Sequence, residues 1–240
     1  MSDVKLPKSL KAVPLPGISQ EDRFSSTRDL IAETSYRIID PDSNSIWGYI
    51  AIDNTQRGPG LGGIRMVQDL SLNEISRLAR VMTVKNSSAC LPYGGAKAGI
   101  TLKSFELTDN SAIREELIEN LADCLFELSA YVPAPDMGTN ENDIQIIYNN
   151  HTRKLGTQKH SRGGAGRPVE KGGIPIDDWE LTAHGLFSAI KALESRDETL
   201  DLYRTKFIVQ GFGNVGAPTA LKLQESGATL VGASDINIAL

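Results

Sequence analysis

KFIVQGFGNVGAPTALKLQESGATLVGASD, residues 206–235, decides the fold. Its pattern predicts a strand at Lys206–Gln210, a helix at Asn214–Ser226 and a second strand at Ala228–Asp235. A strand, a helix and a strand of these lengths form a βαβ unit with parallel strands and a right-handed crossover. We therefore expect an α/β protein.

The turn after the first of these strands carries GFGNVG, the G-x-G-x-x-G spacing of dinucleotide-binding loops. Gly211 permits the tight turn, Gly213 lets a pyrophosphate approach the helix N-terminus, and Gly216 lets the helix pack on the strand. Asp235, at the end of the next strand, would accept hydrogen bonds from the adenosine ribose. Its negative charge favours NAD over NADP, because a 2′-phosphate would face it. The alternative is a βαβ unit whose loop binds nothing.

The net charge and the distribution of apolar residues disfavour some classes of function. The 240 residues include 25 Lys and Arg against 30 Asp and Glu, a net charge of −5. Nucleic-acid binding is disfavoured because no excess positive charge can displace counterions from a phosphate backbone. No signal-peptide core and no apolar run of membrane-spanning length occur, so we expect no membrane association and a cytoplasmic location.

The two cysteines, Cys90 and Cys124, have no Cys or His neighbour at metal-ligand spacing. The sequence therefore predicts neither a disulfide framework nor a metal site. Each cysteine is expected to be a small buried apolar residue.

Apolar periodicity upstream of the βαβ unit predicts mostly helices. Ser71 can cap a helix with Glu74 three residues later, as in a capping box, and that helix would reach Lys85. The run IWGYIAID predicts a strand at Ile46–Asp53. The other predicted helices span Thr27–Tyr36, Ala112–Leu128, Thr139 or Asn140 to Asn149, and Asp177–Ser195. A glycine-rich loop or interdomain strap would connect the last two.

The 22 glycines concentrate in clusters at 58–63, 94–99, 163–173 and 211–216. Clustered glycine marks backbone that turns sharply or approaches another group closely. Lys97 lies in the second cluster, with Gly95 and Gly99 beside it. Such a lysine loses hydration, which lowers its pKa and lets it act as a base near neutral pH.

Two further charged residues are candidates beside this lysine. Lys85 could hold a carboxylate as a point charge, although a solvated surface lysine is the ordinary interpretation. Asp136 lies between a proline-stiffened turn and a helix start, where the ordinary interpretation is a turn or cap residue.

Several long motifs follow one another along the chain: GPGLGGIRM at 58–66, MTVKNSSACLPYGGAKAGI at 82–100, VPAPDMGTNENDI at 132–144, GRPVEKGG at 166–173 and GFGNVG at 211–216. In this order they resemble the glutamate/leucine/phenylalanine/valine dehydrogenase family. The resemblance implies an N-terminal substrate-binding and oligomerisation domain, a Rossmann domain and a cleft between them. There an L-amino acid would be oxidatively deaminated to a 2-oxo acid and ammonia with NAD or NADP. It also implies a homo-oligomer, a hexamer by family habit.

Carried over by position, the resemblance assigns Lys85 to the substrate α-carboxylate and Lys97 to the base that activates water. Asp136 would carry protons to and from the amine nitrogen. The other implied substrate-binding residues are Leu61, Gly62, Gly63 and Ala134. The implied cofactor-binding residues are Thr182, Gly211, Gly213, Asn214, Val215, Gly216 and Asp235.

Two positions depart from patterns of this family, one of its glutamate enzymes and one of the family as a whole. Glutamate dehydrogenases carry a lysine where this chain has Leu61, which cannot neutralise a γ-carboxylate. An apolar substrate side chain is therefore favoured, while other segments look closer to glutamate enzymes. At Thr182 the family usually shows Ala-Thr-Gly, and this chain has Leu-Thr-Ala.

Residues 1–174 are expected to form the substrate-binding domain and 175–240 the start of a Rossmann domain. A dinucleotide-binding fold needs further parallel strands after Asp235, so this chain as it stands is expected to bind NAD poorly. Two alternatives stay open: a dehydrogenase with another kind of substrate, and an inactive truncated paralogue that serves as an assembly or regulatory subunit.

Overall fold

The computed structural model describes residues 6–16, 32–102, 111–156, 164–235 and 237–239. The chain divides into two compact units, unit 1 at Met1–Gly173 and unit 2 at Ile174–Leu240. Each has its own apolar core. Within the described ranges, no helix is both long and apolar enough to cross a membrane.

Unit 1 is built on a six-stranded mixed sheet. Its strands are β1 Lys11–Pro14, β2 Thr34–Ile39, β3 Ile46–Asn54, β4 Gly60–Val67, β5 Gly94–Thr101 and β6 Tyr131–Pro135. They are ordered β1-β2-β3-β5-β4-β6. The pairs along β1, β2, β3 and β5 are antiparallel, whereas β4 runs parallel to both β5 and β6. The parallel part places β5 and the end of β6 on either side of β4.

Helices cover both faces of this sheet. They are α1 Leu72–Ser88, α2 Ser111–Phe126 and α3 Glu141–Leu155. On one face, Ile75 and Ala79 of α1 pack with Ala51 of β3. On the other face, α2 and α3 enclose the main core, whose largest fully buried side chains include Ile64, Leu117, Leu121 and Ile144. The face of α2 that carries Leu117 and Leu121 therefore points towards the sheet.

Two of the glycine clusters form central strands rather than the turns that glycine usually marks. A Cβ on Gly62 in β4 would lie 1.6 Å from the Ala96 carbonyl oxygen of β5. A Cβ on Gly95 would lie 2.2 Å from the backbone nitrogen of Thr83 in α1. Glycine is present here because the strands and α1 approach one another too closely for side chains.

Unit 2 contains the predicted βαβ motif, with β7 Lys206–Gln210, α5 Gly216–Glu225 and β8 Thr229–Ser234. The two strands are parallel. A preceding helix, α4 Leu181–Glu194, contributes to a core centred on Leu202, Leu223 and Ala228. The expected α/β class is confirmed.

Three predicted helices are wrong at one end. The helix predicted to end at Asn149 continues to Leu155. The carboxyl part of the predicted helix Thr27–Tyr36 belongs to β2, because Thr34–Ile39 pairs with β3; residues 27–31 lie outside the described residues. The helix predicted from Asp177 begins only at Leu181. Glu180 adopts a left-handed conformation with φ 49°, which ends a series of turns before the helix starts.

The two cysteines differ in their surroundings. Cys124 is buried as expected, and burial raises the pKa of its thiol to about 12. Cys90 is exposed, so the expectation of burial is wrong for it. It lies in the turn after α1 with φ 54°, where its backbone N–H donates to the Ser87 carbonyl.

Candidate active site

The centre of the candidate site in unit 1 is an ion pair between two strands. Lys97 Nζ, from the middle of β5, lies 2.9 Å from Asp136 Oδ2, directly after β6. The lysine side chain is only 6% exposed and the aspartate side chain 20%. The structure thus brings together two candidates that are 39 positions apart in the sequence.

Strand alternation explains why a lysine is buried in β5. Ala96 and Ala98 point into the core beneath α2 and α3, so Lys97 points to the α1 face, opposite Ala51 of β3. Burial lowers the pKa of Lys97, and although the bond to Asp136 opposes this shift, the lowering dominates. The amine is therefore a better base near neutral pH than an exposed lysine.

The pKa of Asp136 is also lowered, but for a different reason. Burial raises the pKa of its carboxyl group, but the hydrogen bonds and charges of Lys97 and Arg65 outweigh burial and hold the pKa below its usual range. Its backbone is fixed too, because the Asp136 N–H donates to Thr139 Oγ1 at 2.9 Å and that hydroxyl donates to the Ile64 carbonyl at 2.7 Å. The carboxylate is thus ionised and held at the end of β6.

Gly63 lies beneath the ion pair. A Cβ on this residue would lie 2.7 Å from Asp136 Cβ and 3.2 Å from Lys97 Nζ. Tyr131 is fully buried, and its hydroxyl donates a hydrogen bond to the Gly62 carbonyl at 2.9 Å. This bond fixes the backbone of β4 next to Gly63. The pair therefore exists only because β4 has no side chain at this position.

The other predicted substrate-binding residues lie on the surrounding elements. Leu61 is half-buried, two residues before Gly63 on the same face of β4. Ala134 of β6 is directly opposite Gly63 in the strand register. Lys85 is exposed in the last turn of α1, and its charge helps to lower the pKa of Lys97. The candidates from the first 174 residues therefore lie on β4, β5, β6 and α1 or, in the case of Asp136, directly after β6.

Two residues of this network were not predicted. Arg65 Nε lies 2.9 Å from Asp136 Oδ2, and Arg65 Nη1 binds the carboxylate of Glu74 in α1. The capping box expected at α1 forms in one direction, because Ser71 Oγ accepts from the Glu74 N–H while the Glu74 carboxylate contacts Arg65. The period of two along β4, which places Arg65 on the face of Gly63, is the signal that could have found it.

The three glycines of the glycine-rich loop in unit 2 have different surroundings. Gly211 has φ 91°, and its N–H donates to the Ser234 carbonyl at 2.7 Å. A Cβ on Gly216 would lie 2.0 Å from the Gly211 carbonyl oxygen, whereas one on Gly213 would meet nothing within 4 Å. The first and third glycines thus serve the turn and the packing, and the second leaves room for a ligand. These residues fit a dinucleotide.

The remaining cofactor candidates of unit 2 are on its surface. Thr182 is exposed in the first turn of α4, and Val215 precedes α5. Asn214 donates to Asp177 Oδ2 at 3.4 Å. Asp235 is exposed, and hydrogen bonds from the backbone N–H groups of residues 237 and 238 hold the pKa of its carboxyl group below the usual range.

Two family models match most of the chain. The model of the Glu/Leu/Phe/Val dehydrogenase dimerisation domain matches residues 28–153, more than half of the chain. The chain belongs to the glutamate/leucine/phenylalanine/valine dehydrogenase family. The second model of this dehydrogenase family matches residues 172–240. The resemblance inferred from the motifs is confirmed.

Individual relatives in the family are about twice as long as this chain. An NADP-specific glutamate dehydrogenase of Saccharolobus shibatae is 33% identical over an alignment of 230 residues that covers 92% of this chain and 51% of that protein. The leucine-bound crystal structure of the hetero-hexameric glutamate dehydrogenase of Thermus thermophilus matches with a TM-score of 0.69 at 26% identity. It aligns with 98% of this chain and 51% of its own chain.

A more distant structure supports the fold alone. The glutamate dehydrogenase of Peptoniphilus asaccharolyticus matches with a TM-score of 0.66 at 23% identity, over 98% of this chain and 55% of that one. The chain thus spans about half the length of the relatives it matches. Among the residues that the structure describes, no group of three His, Cys, Asp or Glu side chains could hold a metal ion.

Proposed function

We propose that this chain supplies substrate-binding and cofactor-binding residues of a nicotinamide-dependent amino-acid dehydrogenase. The reaction converts an L-amino acid, NAD(P)⁺ and water to a 2-oxo acid, ammonium, NAD(P)H and a proton. The observation that carries the proposal is the buried ion pair in which Lys97 Nζ lies 2.9 Å from Asp136 Oδ2. A lysine of lowered pKa beside an ionised carboxylate is suited to repeated proton transfer.

Each residue has a role that its surroundings support. Lys85, an exposed cation, holds the substrate α-carboxylate. Lys97 accepts a proton from the attacking water and then stabilises the carbonyl oxygen, while Asp136 transfers protons to and from the amine nitrogen. The backbone of Gly62 and Gly63 lets the substrate approach the pair.

The fingerprint loop of unit 2 would hold the cofactor, with its pyrophosphate beside Gly213 and the N-terminus of α5. When bound, the nicotinamide supplies the acceptor for the substrate's α-hydrogen as hydride. Thr182 and Asn214 would hold the carboxamide, and Asp235 the adenosine ribose. The ionised Asp235 favours NAD, whereas the S. shibatae relative is NADP-specific.

Leu61 favours an apolar or small substrate side chain over glutamate. It is half-buried on the face of β4 that carries Gly63, and an apolar side chain offers a γ-carboxylate no partner. An unpaired carboxylate in a partly buried pocket costs several kcal/mol. We therefore propose a leucine-like substrate.

The variant Leu61→Lys tests the substrate assignment. A lysine at this position would pair with a γ-carboxylate, so the ratio of kcat/KM for L-glutamate to that for L-leucine should rise by about 10-fold or more. Steady-state kinetics with both substrates measure the ratio, and Leu61→Met is the control that keeps the position apolar. An unchanged ratio in Leu61→Lys would reject the pocket assignment.

The activity itself is tested on the complete gene product. A panel of L-amino acids is supplied with NAD⁺ or NADP⁺, and the absorbance of the reduced nicotinamide is followed. We expect turnover with at least one apolar amino acid. No turnover with any member of the panel, in a folded protein that binds the dinucleotide, would contradict the proposal.

An oligomer is part of the proposal, since the T. thermophilus relative is a hetero-hexamer. A hetero-hexameric relative also supports the alternative in which this chain is an inactive regulatory subunit. Leu61 and the altered sequence around Thr182 point to the same alternative. Co-purification with a second, active family member, together with inactivity alone, would favour that alternative. A cytoplasmic location stays a prediction.

A further inference from the structure

One oxygen of Asp136 is shared by two cations. Oδ2 lies 2.9 Å from Lys97 Nζ and 2.9 Å from Arg65 Nε. Within the described part of the chain, Oδ1 has no hydrogen-bond partner. The carboxylate is therefore fixed through one oxygen, and the other is available to a substrate.

The guanidinium of Arg65 is itself held from the other side. Its Nη1 binds the Glu74 carboxylate, which α1 presents over the sheet. Because a guanidinium has several donors in one rigid plane, Arg65 can bind both carboxylates at once in a way that a lysine cannot. The side chain of Arg65 is 17% exposed, so packing as well as charge limits its movement.

Lys97 and Arg65 have different roles in the proposed reaction. Lys97 must give up its bond to Asp136 when it acts on water and on the substrate oxygen. Without another cation, Asp136 would then be a partly buried carboxylate with no partner, and burial would raise its pKa. Arg65 stays charged at every relevant pH and takes no part in the proton transfers.

We propose that Arg65, anchored by Glu74, is a positioning residue that holds Asp136 by Oδ2, so that Oδ1 is the proton-transfer oxygen and Lys97 is free to act on the substrate. This inference rests on the proposed function for the role of Asp136. The interaction between Arg65 and Asp136, however, can be measured without substrate or cofactor.

Other charged groups around the pair also influence the titration of Asp136. From α1, Lys85 adds positive charge near Lys97. From β3, Asp53 lies two residues beyond Ala51 on the same face, and its carboxylate accepts a hydrogen bond from Thr83 of α1. These groups are unchanged in every variant below, so differences in titration report on Arg65 and Lys97.

The first test is a carboxyl-carbon NMR titration of Asp136 in the 240-residue chain. In Lys97→Met, Arg65 should keep the Asp136 pKa low, whereas in Lys97→Met with Arg65→Gln it should rise clearly above that of the single variant. The matched control is Arg77→Gln, an exposed arginine of α1, which should leave the titration unchanged. If Lys97→Met raises the Asp136 pKa as far as the double variant does, Arg65 does not hold the carboxylate and the proposal fails.

The second test uses the complete gene product. It distinguishes the effect of the charge of Arg65 from the effect of its positioning of Asp136. Arg65→Gln should lower kcat by about 10²-fold with a much smaller change in KM, because the proton-transfer oxygen is misplaced. Arg65→Lys should restore the low Asp136 pKa but not kcat, since one ammonium cannot bind both carboxylates. Full recovery of kcat in Arg65→Lys would overturn the positioning role. An inactive wild type would contradict the proposed function and leave the titration result standing.

Discussion

The variant Lys97→Met is expected to lose turnover by about 10²- to 10⁴-fold in kcat, the usual contribution of a general base. Methionine has nearly the same length and shape as the buried part of lysine, and the side chain is only 6% exposed, so the fold should be preserved. What disappears is the amine that accepts the proton of water. Steady-state kinetics and far-UV circular dichroism on the same samples measure both properties.

Lys11→Met is the matched control for this variant. Lys11 is an exposed residue of β1 in the same sheet, and it makes no contact with Asp136 among the described residues. The control should keep kcat within about two-fold of the wild type, since surface substitutions away from a site have small effects. If Lys97→Met also keeps its kcat, the lysine is structural and its burial has another cause.

The variant Gly62→Ala is expected to destabilise unit 1 by about 3 kcal/mol, at the upper end of the cost of overpacking. The added Cβ would lie 1.6 Å from the carbonyl oxygen of Ala96, and a backbone atom in a central strand cannot move aside as a flexible side chain can. The free energy of unfolding by urea measures the effect, with Trp47 as a buried fluorescence probe in this unit.

Gly156→Ala separates the clash from the general cost of replacing glycine. Gly156 ends α3 with φ 65°, and a Cβ there would meet nothing within 4 Å. Its replacement should cost only the backbone strain of a left-handed residue, about 1 kcal/mol. Equal losses in the two variants would show that β4 and β5 separate without penalty and that close approach does not explain the glycines.

The sequence predicts the dinucleotide-binding part well because its signals are local. In unit 2, the strand, the three glycines and the helix are contiguous, and each glycine has a separate physical reason. The predicted strand Lys206–Gln210 is observed with the same ends. Short-range periodicity and turn chemistry are sufficient in such a segment.

Unit 1 was harder to predict because its central strands contradict strand propensity. GLGGIRMV in β4 and GGAKAGIT in β5 are rich in glycine, which is depleted in strands, and neither alternates apolar with polar residues. Their identity depends on a tertiary approach between strands and α1 that no local pattern encodes. The sequence therefore marks these residues as unusual but does not predict that they form strands.

The residues of the candidate site likewise differ in whether the sequence alone predicts them. Lys97 was found because a lone charge among glycines is unusual, and Asp136 because motif order connected it to that lysine. The bond of Arg65 to Glu74 could not be predicted, since a glutamate three residues after Ser71 has a sufficient local explanation as a capping residue. Only the fold shows that the Glu74 carboxylate binds Arg65.

The central claim is that the Cα hydrogen of an L-amino acid leaves as hydride at a site formed by Lys97 and Asp136. Its most direct test supplies the complete gene product with L-leucine deuterated at Cα and with NAD⁺ or NADP⁺, and analyses the reduced nicotinamide by mass spectrometry. We predict one deuterium per reduced nicotinamide, and in Lys97→Met the deuterated product should form about 10²- to 10⁴-fold more slowly. Reduced nicotinamide without deuterium, or deuterium transfer undiminished in Lys97→Met, would contradict the account.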